Sequence, residues 1–518
     1  MTTTARPGTA PPNSDPRVPP SLRRGRGHWI DDWDPDDDRF WHAGGHRIAR
    51  RNLVLSIFAD HVAFNIWIIW TIVVVNLVHV GIKLSVPDLF WLTAAPNLVG
   101  SALRIPYTFA VPKFGGRMWT AISGAILVVP ALLLVFLVPG GWLAHQGHST
   151  QFWVLLACAA TAGVGGANFS SSMTNVSFFY PEKKKGFALG LNAAGGNLGV
   201  AAAQLLVPLV IIIGIPSAAI KVSRHPVHLA YAGMFYLPFI VAAAALAWWK
   251  MDSLTQARTD TSAYASAVKN PHTWIMAILY IGTFGSFIGY SFALPLLISN
   301  TFPDFLSHHP FIANYLAGLG FLGALIGSLA RPLGGWLSDR LGGARVTVAA
   351  FLGMAALSAV AIAGIRDRSF TVFFVAFMVI FALTGLGNGS TYRMIPSIFA
   401  ALGRRQAGEG DTDVRHTTLS FKRQAGAVIG IAGAVGAFGG FLIQVVIRQS
   451  SLPLAALIKA AKAPADKLAI ARVHAAWAVP ALWVFLVGYL VLAVMTWFFY
   501  IRSTAATARI PSLADASI

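Results

Sequence analysis

Arg104 and Arg331 are the two residues whose type and placement point most directly to chemistry. Each lies deep in an apolar stretch, and each is followed eleven residues later by a glycine pair, Gly115-Gly116 in one case and Gly342-Gly343 in the other. Equal spacing from a shared landmark makes them equivalent positions of a repeat. A guanidinium offers paired N–H donors in one plane, which suits a planar oxyanion. Two such forks facing one another across a cavity form an anion site. The plainer reading, an arginine that snorkels to a surface or pairs with a helix end, does not explain why both halves of the chain carry it.

Further candidates surround this pair. Tyr280 and Phe284 are four apart, on one face of a helix, where two rings could sandwich a small anion and the tyrosine hydroxyl orient it; ordinary helix packing is the simpler alternative. Asn168 and Asn175 lie in one apolar span, Asn192 and Asn197 in the next. Asn197, inside the glycine run GLNAAGGNLG, is the preferred polar ligand. Asp60, His61 and Arg393 are the other strong polar groups within apolar spans, where a charge costs a few kcal/mol and needs a partner or a purpose. Asp60 with His61 could carry a proton; alternatively Asp60 simply pairs with Arg393.

The elements that position these residues follow from composition. Of 518 residues 56% are hydrophobic and 11% charged, far from the roughly 25% charged residues of an average soluble chain. The expected fold class is an all-α membrane protein of twelve transmembrane helices in two pseudo-symmetric six-helix bundles. Apolar spans come at about 52–79, 88–112, 117–139, 152–180, 186–213 and 228–249, then 273–298, 312–337, 344–365, 370–400, 424–448 and 474–501. Residues 1–51 read as an N-terminal tail, 52–250 as the first bundle, 251–271 as a linker, 272–502 as the second bundle and 503–518 as a C-terminal tail. Apart from Asp88 at the first position of the second span, no acidic residue lies inside the second, fourth, fifth, seventh, eighth or eleventh span, so the counter-charge to the arginines is expected to be the substrate.

The net charge of +19 is a matter of topology rather than of nucleic-acid binding. With both termini inside, the inner loops hold 15 basic residues and the outer ones 10, the bias expected of cytoplasmic loops. Five of the outer ten fall between Arg448 and Arg472, where AALIKAAKAPADKLAIARV reads as an amphipathic surface helix. A single cysteine, Cys158, excludes an internal disulfide and a cysteine-based metal cluster, and no cofactor or metal is expected.

The two halves also match elsewhere. GGANFSSSMTNVSFFYP in the fourth span aligns with GLGNGSTYRMIPSIFAA in the tenth, and GLNAAGGNLG in the fifth with GIAGAVGAFGG in the eleventh. Paired six-helix halves are a common construction of alternating-access transporters. The loop GGWLSDRLGGARVT carries Asp339-Arg340 in the pattern of the major facilitator signature, a charged tie that would bias one transport state; the first-half loop VPKFGGRMWT lacks the aspartate.

At these motifs, together with DDWDPDDDRFW near the N-terminus, the chain resembles the nitrate/nitrite porter family of the major facilitator superfamily over nearly its whole length. The resemblance implies that Arg104 and Arg331 clamp the anion, that Tyr280, Phe284, Phe169 and Asn197 line the site, and that the glycine-rich helices five and eleven slide during a rocker-switch. It departs from the family's antiporters at Ala193-Ala194, where glycines are usual, at Asp60-His61 and at Arg393. The function expected is therefore transport of nitrate, and of nitrite, across the cytoplasmic membrane by a monomer, with proton-coupled uptake through Asp60 preferred over nitrate/nitrite exchange. A carrier of drugs or sugars fits the twin arginines poorly. A membrane enzyme lacks paired histidines in its spans, His308 and His309 lying in a loop, and a sensor lacks an output domain.

Overall fold

The computed structural model describes residues 26–138, 141–212, 227–258, 262–408, 414–461, 470, 474–502, 513 and 518. Twelve long helices dominate it. The first half comprises α1 (Asp38–Val80), α2 (Val86–Phe114), α3 (Gly116–Leu137), α4 (His148–Phe179), α5 (Lys183–Ile212) and α6 (Ala230–Lys250). The second comprises α7 (Pro271–Thr301), α8 (Gly320–Leu341), α9 (Gly343–Arg366), α10 (Phe370–Ala407), α11 (Ser420–Ala460) and α12 (Ala476–Tyr500). Ten of them are long and apolar enough to cross a membrane. The other two, α2 and α8, are the helices that carry Arg104 and Arg331.

Local chemistry explains where the elements begin and end. α2 opens on a capping box between Ser85 and Asp88, with Pro87 in its first turn, where a missing N–H costs nothing. It ends at Gly115, whose φ of +81° an L side chain would rarely adopt; Gly342, at φ +88°, ends α8 in the same way. The repeat inferred from spacing is thus a repeat of backbone geometry. Val241, Leu329, Val491 and Val494 are all more than half exposed on the outside of the bundle. Surfaces this apolar belong against lipid tails.

Across the molecule, α2 packs on α11, α5 on α8 and α7 on α1, which holds the two halves around a central seam. α7 is interrupted by a π-helical turn at Ile281–Gly285, a distortion that often marks functional positions. That turn contains Phe284 and directly follows Tyr280.

Three expectations about boundaries change. Residues 27–45 are not a free tail: Trp29 and Ile30 pair in parallel with Ser253 and Leu254, and Ile30, Trp33, Phe40 and Trp41 bury themselves with Phe179 and Leu254. Aromatic residues interleaved with the aspartates give the segment an apolar face that composition alone concealed. Asp252 anchors this contact by binding Arg51 and Asn52, and Arg117 donates to the Gly27 carbonyl at 3.0 Å. The second change concerns α11, which runs on to Ala460 with Pro453 inside it, so LPLAALIKA extends a long helix; the remainder of the expected amphipathic segment, 462–469 and 471–473, lies outside the described residues. The third is the start of α1 at Asp38, which places Arg47, Arg50 and Arg51 within a helix.

Candidate functional site

Arg104 has no exposure to solvent. Its Nε donates to the Gly166 carbonyl on α4 at 3.0 Å and its Nη1 to the Gly433 carbonyl on α11 at 2.6 Å. Its guanidinium carbon stands 4.9 Å from the centre of the Phe169 ring, 5.1 Å from Phe284 and 5.6 Å from Trp67. Arg331, 5% exposed, approaches from the other half. It donates from Nη2 to the Tyr280 hydroxyl at 3.2 Å and lies 5.3 Å from the Tyr392 ring and 6.0 Å from the same Phe169 ring. One phenylalanine therefore sits beneath both cations.

The rings form a column. Tyr280 stacks on Phe284 with centroids 5.3 Å apart, and Phe284 on Phe169 at 6.1 Å, at interplanar angles of 16° and 18°. A cation–π contact contributes about 0.5–1 kcal/mol at exposed sites and about 2 kcal/mol when desolvated, which helps to offset the burial of two like charges. Gly436 on α11 makes room for the column, because a Cβ there would stand 2.3 Å from Tyr280.

What the arrangement leaves unmet is informative. Arg104 Nη2, Arg331 Nη1 and the Tyr392 hydroxyl are buried without a hydrogen-bond partner, whereas nearly all buried polar groups in native proteins have one. No carboxylate forms an ion pair with either arginine among the described residues. Unmet donors on two permanent cations, lined by aromatic faces, fit a small planar anion that can accept from several directions.

The other sequence candidates distribute differently. Asn197 is buried on α5 with its amide oxygen unpartnered, and no hydrogen bond joins it to either arginine among the described residues. Asp60 is fully buried: one carboxylate oxygen accepts from Asn192 Nδ2 at 3.1 Å, the other has no partner, and the group lies within electrostatic reach of Arg104. Asn192 also donates to Ser172 at 2.7 Å, so Asp60 is tied to α4 and α5 together. His61 turns away to the Gly195 carbonyl, 3.1 Å from its Nδ1.

Arg393 corrects the sequence reading. It is not a partner of Asp60: although it lies within α10, its side chain is about half exposed and donates from Nε to Asp339 at 2.6 Å. The carboxylate lies in the last turn of α8, within the signature motif, so α10 is tied to the end of α8, where water can solvate the charges. Arg340 lies over Trp336 at 4.0 Å. The first half, lacking the aspartate, secures its equivalent loop through Arg117, which donates to the Trp248 carbonyl at 2.6 Å.

Sequence reasoning passed over Tyr392, Trp67 and two glutamines. Gln204 and Gln444 each fall fourteen residues after the glycine that opens their motif, Gly190 and Gly430, and that repeat signal was available. Gln204 donates to the Ser291 carbonyl of the opposite half at 2.7 Å. Gln444 accepts from Thr93 of the opposite half at 2.9 Å and donates to the Gly289 carbonyl at 2.7 Å. Together they close the seam on the side of the arginines away from the 251–258 connection. Replacing both by leucine removes bonds of about 1 kcal/mol each, and is expected to raise the population open at that end roughly tenfold or more. Spin labels at positions 76 and 314, on the two halves, would report it as a longer-distance population.

The profile of the Major Facilitator Superfamily matches residues 61–443. The nitrate/nitrite transporter NarU of Escherichia coli K12 is 36% identical over 486 residues, covering 91% of this chain and 96% of that protein. The chain belongs to the major facilitator superfamily, within its nitrate/nitrite porters. A second porter, the probable nitrate/nitrite antiporter NarK2 of Thermus thermophilus, is 37% identical and covers 81% of this chain and 89% of its own length. Among solved structures, a bacterial homologue of the human lysosomal transporter Spinster superposes with a TM-score of 0.53 at 15% identity, covering 87% of this chain and 96% of that one. That likeness supports the facilitator fold alone. In the terms of this superfamily, Arg104 and Arg331 are symmetry-related groups on the second helix of each half, meeting at the interface between the halves.

Proposed function

We propose that the chain carries nitrate, and nitrite, across the cytoplasmic membrane by alternating access, as a proton-coupled importer working as a monomer. The observation that carries the anion reading is the pair of buried arginines, one from each half, with free N–H donors around one aromatic column. A planar oxyanion would accept from Arg104 Nη2, Arg331 Nη1 and Tyr392 while its faces rest on the rings. The names of the Escherichia coli and Thermus relatives support nitrate and nitrite as the substrates. The excess of basic residues on the loops at the 251–258 end supports placing that face, and both termini, in the cytoplasm.

Coupling to protons rests on Asp60. A carboxyl buried in the membrane, held by Asn192 and in reach of the Arg104 charge, links a protonation event to the anion site. Its protonated form is neutral and crosses the low-dielectric seam more cheaply than the carboxylate. Exchange of nitrate for nitrite without protons is the second reading, favoured by the name of the Thermus relative. Liposomes loaded either with nitrite or with buffer that sets an inward proton gradient separate the two: uptake of external nitrate driven by the proton gradient alone supports symport, and uptake that requires internal nitrite supports exchange.

Asn197→Leu tests the lesser ligand. The loss of one polar contact to the anion is expected to weaken nitrate binding roughly tenfold, read by calorimetric titration. An unchanged dissociation constant assigns Asn197 to helix packing.

A further inference from the structure

A second cluster of cations lies far from the anion site. Arg47, Arg50, Arg51 and Val54 fall on one face of α1, at positions i, i+3, i+4 and i+7. With Leu55 and Lys250, at the end of α6, they line a shallow cavity of about 360 Å³. Arg51 is committed to Asp252. Arg47, Arg50 and Lys250 form no ion pair or hydrogen bond among the described residues, although Lys250 rests 3.6 Å from the centre of the Trp249 ring.

The surroundings fix the depth of this cavity in a bilayer. Trp248 and Trp249 are 51% and 64% exposed beside it, as tryptophans are at the headgroup level of a membrane. Val54 is 53% exposed one turn further into the span, at the start of the hydrocarbon. Cations at headgroup depth over an apolar floor match one kind of molecule, a lipid with a negative headgroup and a hydrocarbon tail.

We propose that this cavity binds an anionic phospholipid, its phosphate on Arg47, Arg50 and Lys250 and the first part of an acyl chain on Val54 and Leu55. Free phosphate satisfies the cations but not the floor, and a neutral phospholipid satisfies the floor but leaves the cations without a net counter-charge. Because α1 also carries Asp60, and because Arg51 in the same row ties α1 to the 251–258 connection through Asp252, the lipid would brace the helix on which proton coupling is proposed to depend. The lipid site itself requires only that the chain spans a membrane, so its failure leaves the transport reading untouched.

The experiment is native mass spectrometry of the purified full chain, titrated with phosphatidylglycerol, with phosphatidylcholine and with inorganic phosphate. Phosphatidylglycerol is expected to form a retained one-to-one adduct. Removing the three unpaired cations, in Arg47→Gln/Arg50→Gln/Lys250→Gln, is expected to weaken it roughly a hundredfold. Arg50→Gln alone, a milder change that keeps the folded chain available should the triple variant fail to accumulate, is expected to weaken it about fivefold. Equal retention of phosphatidylcholine, competition by inorganic phosphate at equal concentration, or an Arg50→Gln variant with undiminished phosphatidylglycerol binding overturns the proposal.

Discussion

Arg104→Lys is expected to reduce nitrate uptake, as kcat/KM in liposomes, by about a hundredfold or more. Lysine keeps the charge but loses what the guanidinium does here. An ammonium cannot donate at once to the Gly166 carbonyl on α4, to the Gly433 carbonyl on α11 and to an anion in one plane. It also gives up the flat contacts with Phe169, Phe284 and Trp67. Losing one charge-assisted bond to the substrate, worth about 1.5–3 kcal/mol, together with the stacking, accounts for the factor. Near-normal uptake by the lysine variant would mean that only net charge matters and that the fork geometry is incidental. Because Arg104 also bridges the halves through Gly433, the folded yield of the variant is checked by thermal unfolding before its transport is interpreted.

Asp60→Asn is expected to abolish uptake driven by an inward proton gradient, to less than about a tenth of wild type, while leaving exchange of internal nitrite for external nitrate largely intact. The amide is nearly the same size as the carboxyl and can keep a hydrogen bond with Asn192, so packing between α1 and α5 is preserved. It cannot release a proton. The substitution therefore fixes the chain in the analogue of its protonated state, in which bound anion can be swapped but net transport cannot be paced by protons. Persistence of gradient-driven uptake in this variant assigns Asp60 a structural part and shifts the balance to exchange.

Much of the fold was legible because its signals are spacings. Eleven residues from each buried arginine to a glycine pair proved to be two helices ending at the same positive-φ turn, Gly115 and Gly342. Apolar spans of about twenty residues admit few arrangements in lipid, since every backbone group must be satisfied within a helix. The gathering of Tyr280, Phe284 and Phe169 around both arginines required more than spacing, and the family resemblance supplied part of it.

What escaped the sequence has physical causes. Arg393 sits in an apolar run well inside α10, but its side chain is about half exposed and meets Asp339 in the last turn of α8. Composition windows do not see the partner. Tyr392, its neighbour, points the other way and reaches the site because residues adjacent on a helix face about 100° apart. The docked segment at 27–45 was hidden because its aspartates dominate composition while its aromatic residues do the packing. Gln204 and Gln444 were missed although their repeat positions match, since an amide in a membrane helix reads at first as generic glue between neighbours.

The central claim is that one anion is held by two arginines from opposite halves. Calorimetric titration of nitrate into purified wild-type protein, Arg104→Lys and Arg331→Lys addresses it most directly. The account predicts one nitrate per chain in the wild type and loss of that single site in both variants, because neither half holds the anion alone. Two sites per chain, with one surviving each substitution, or near wild-type affinity in either variant, would contradict it.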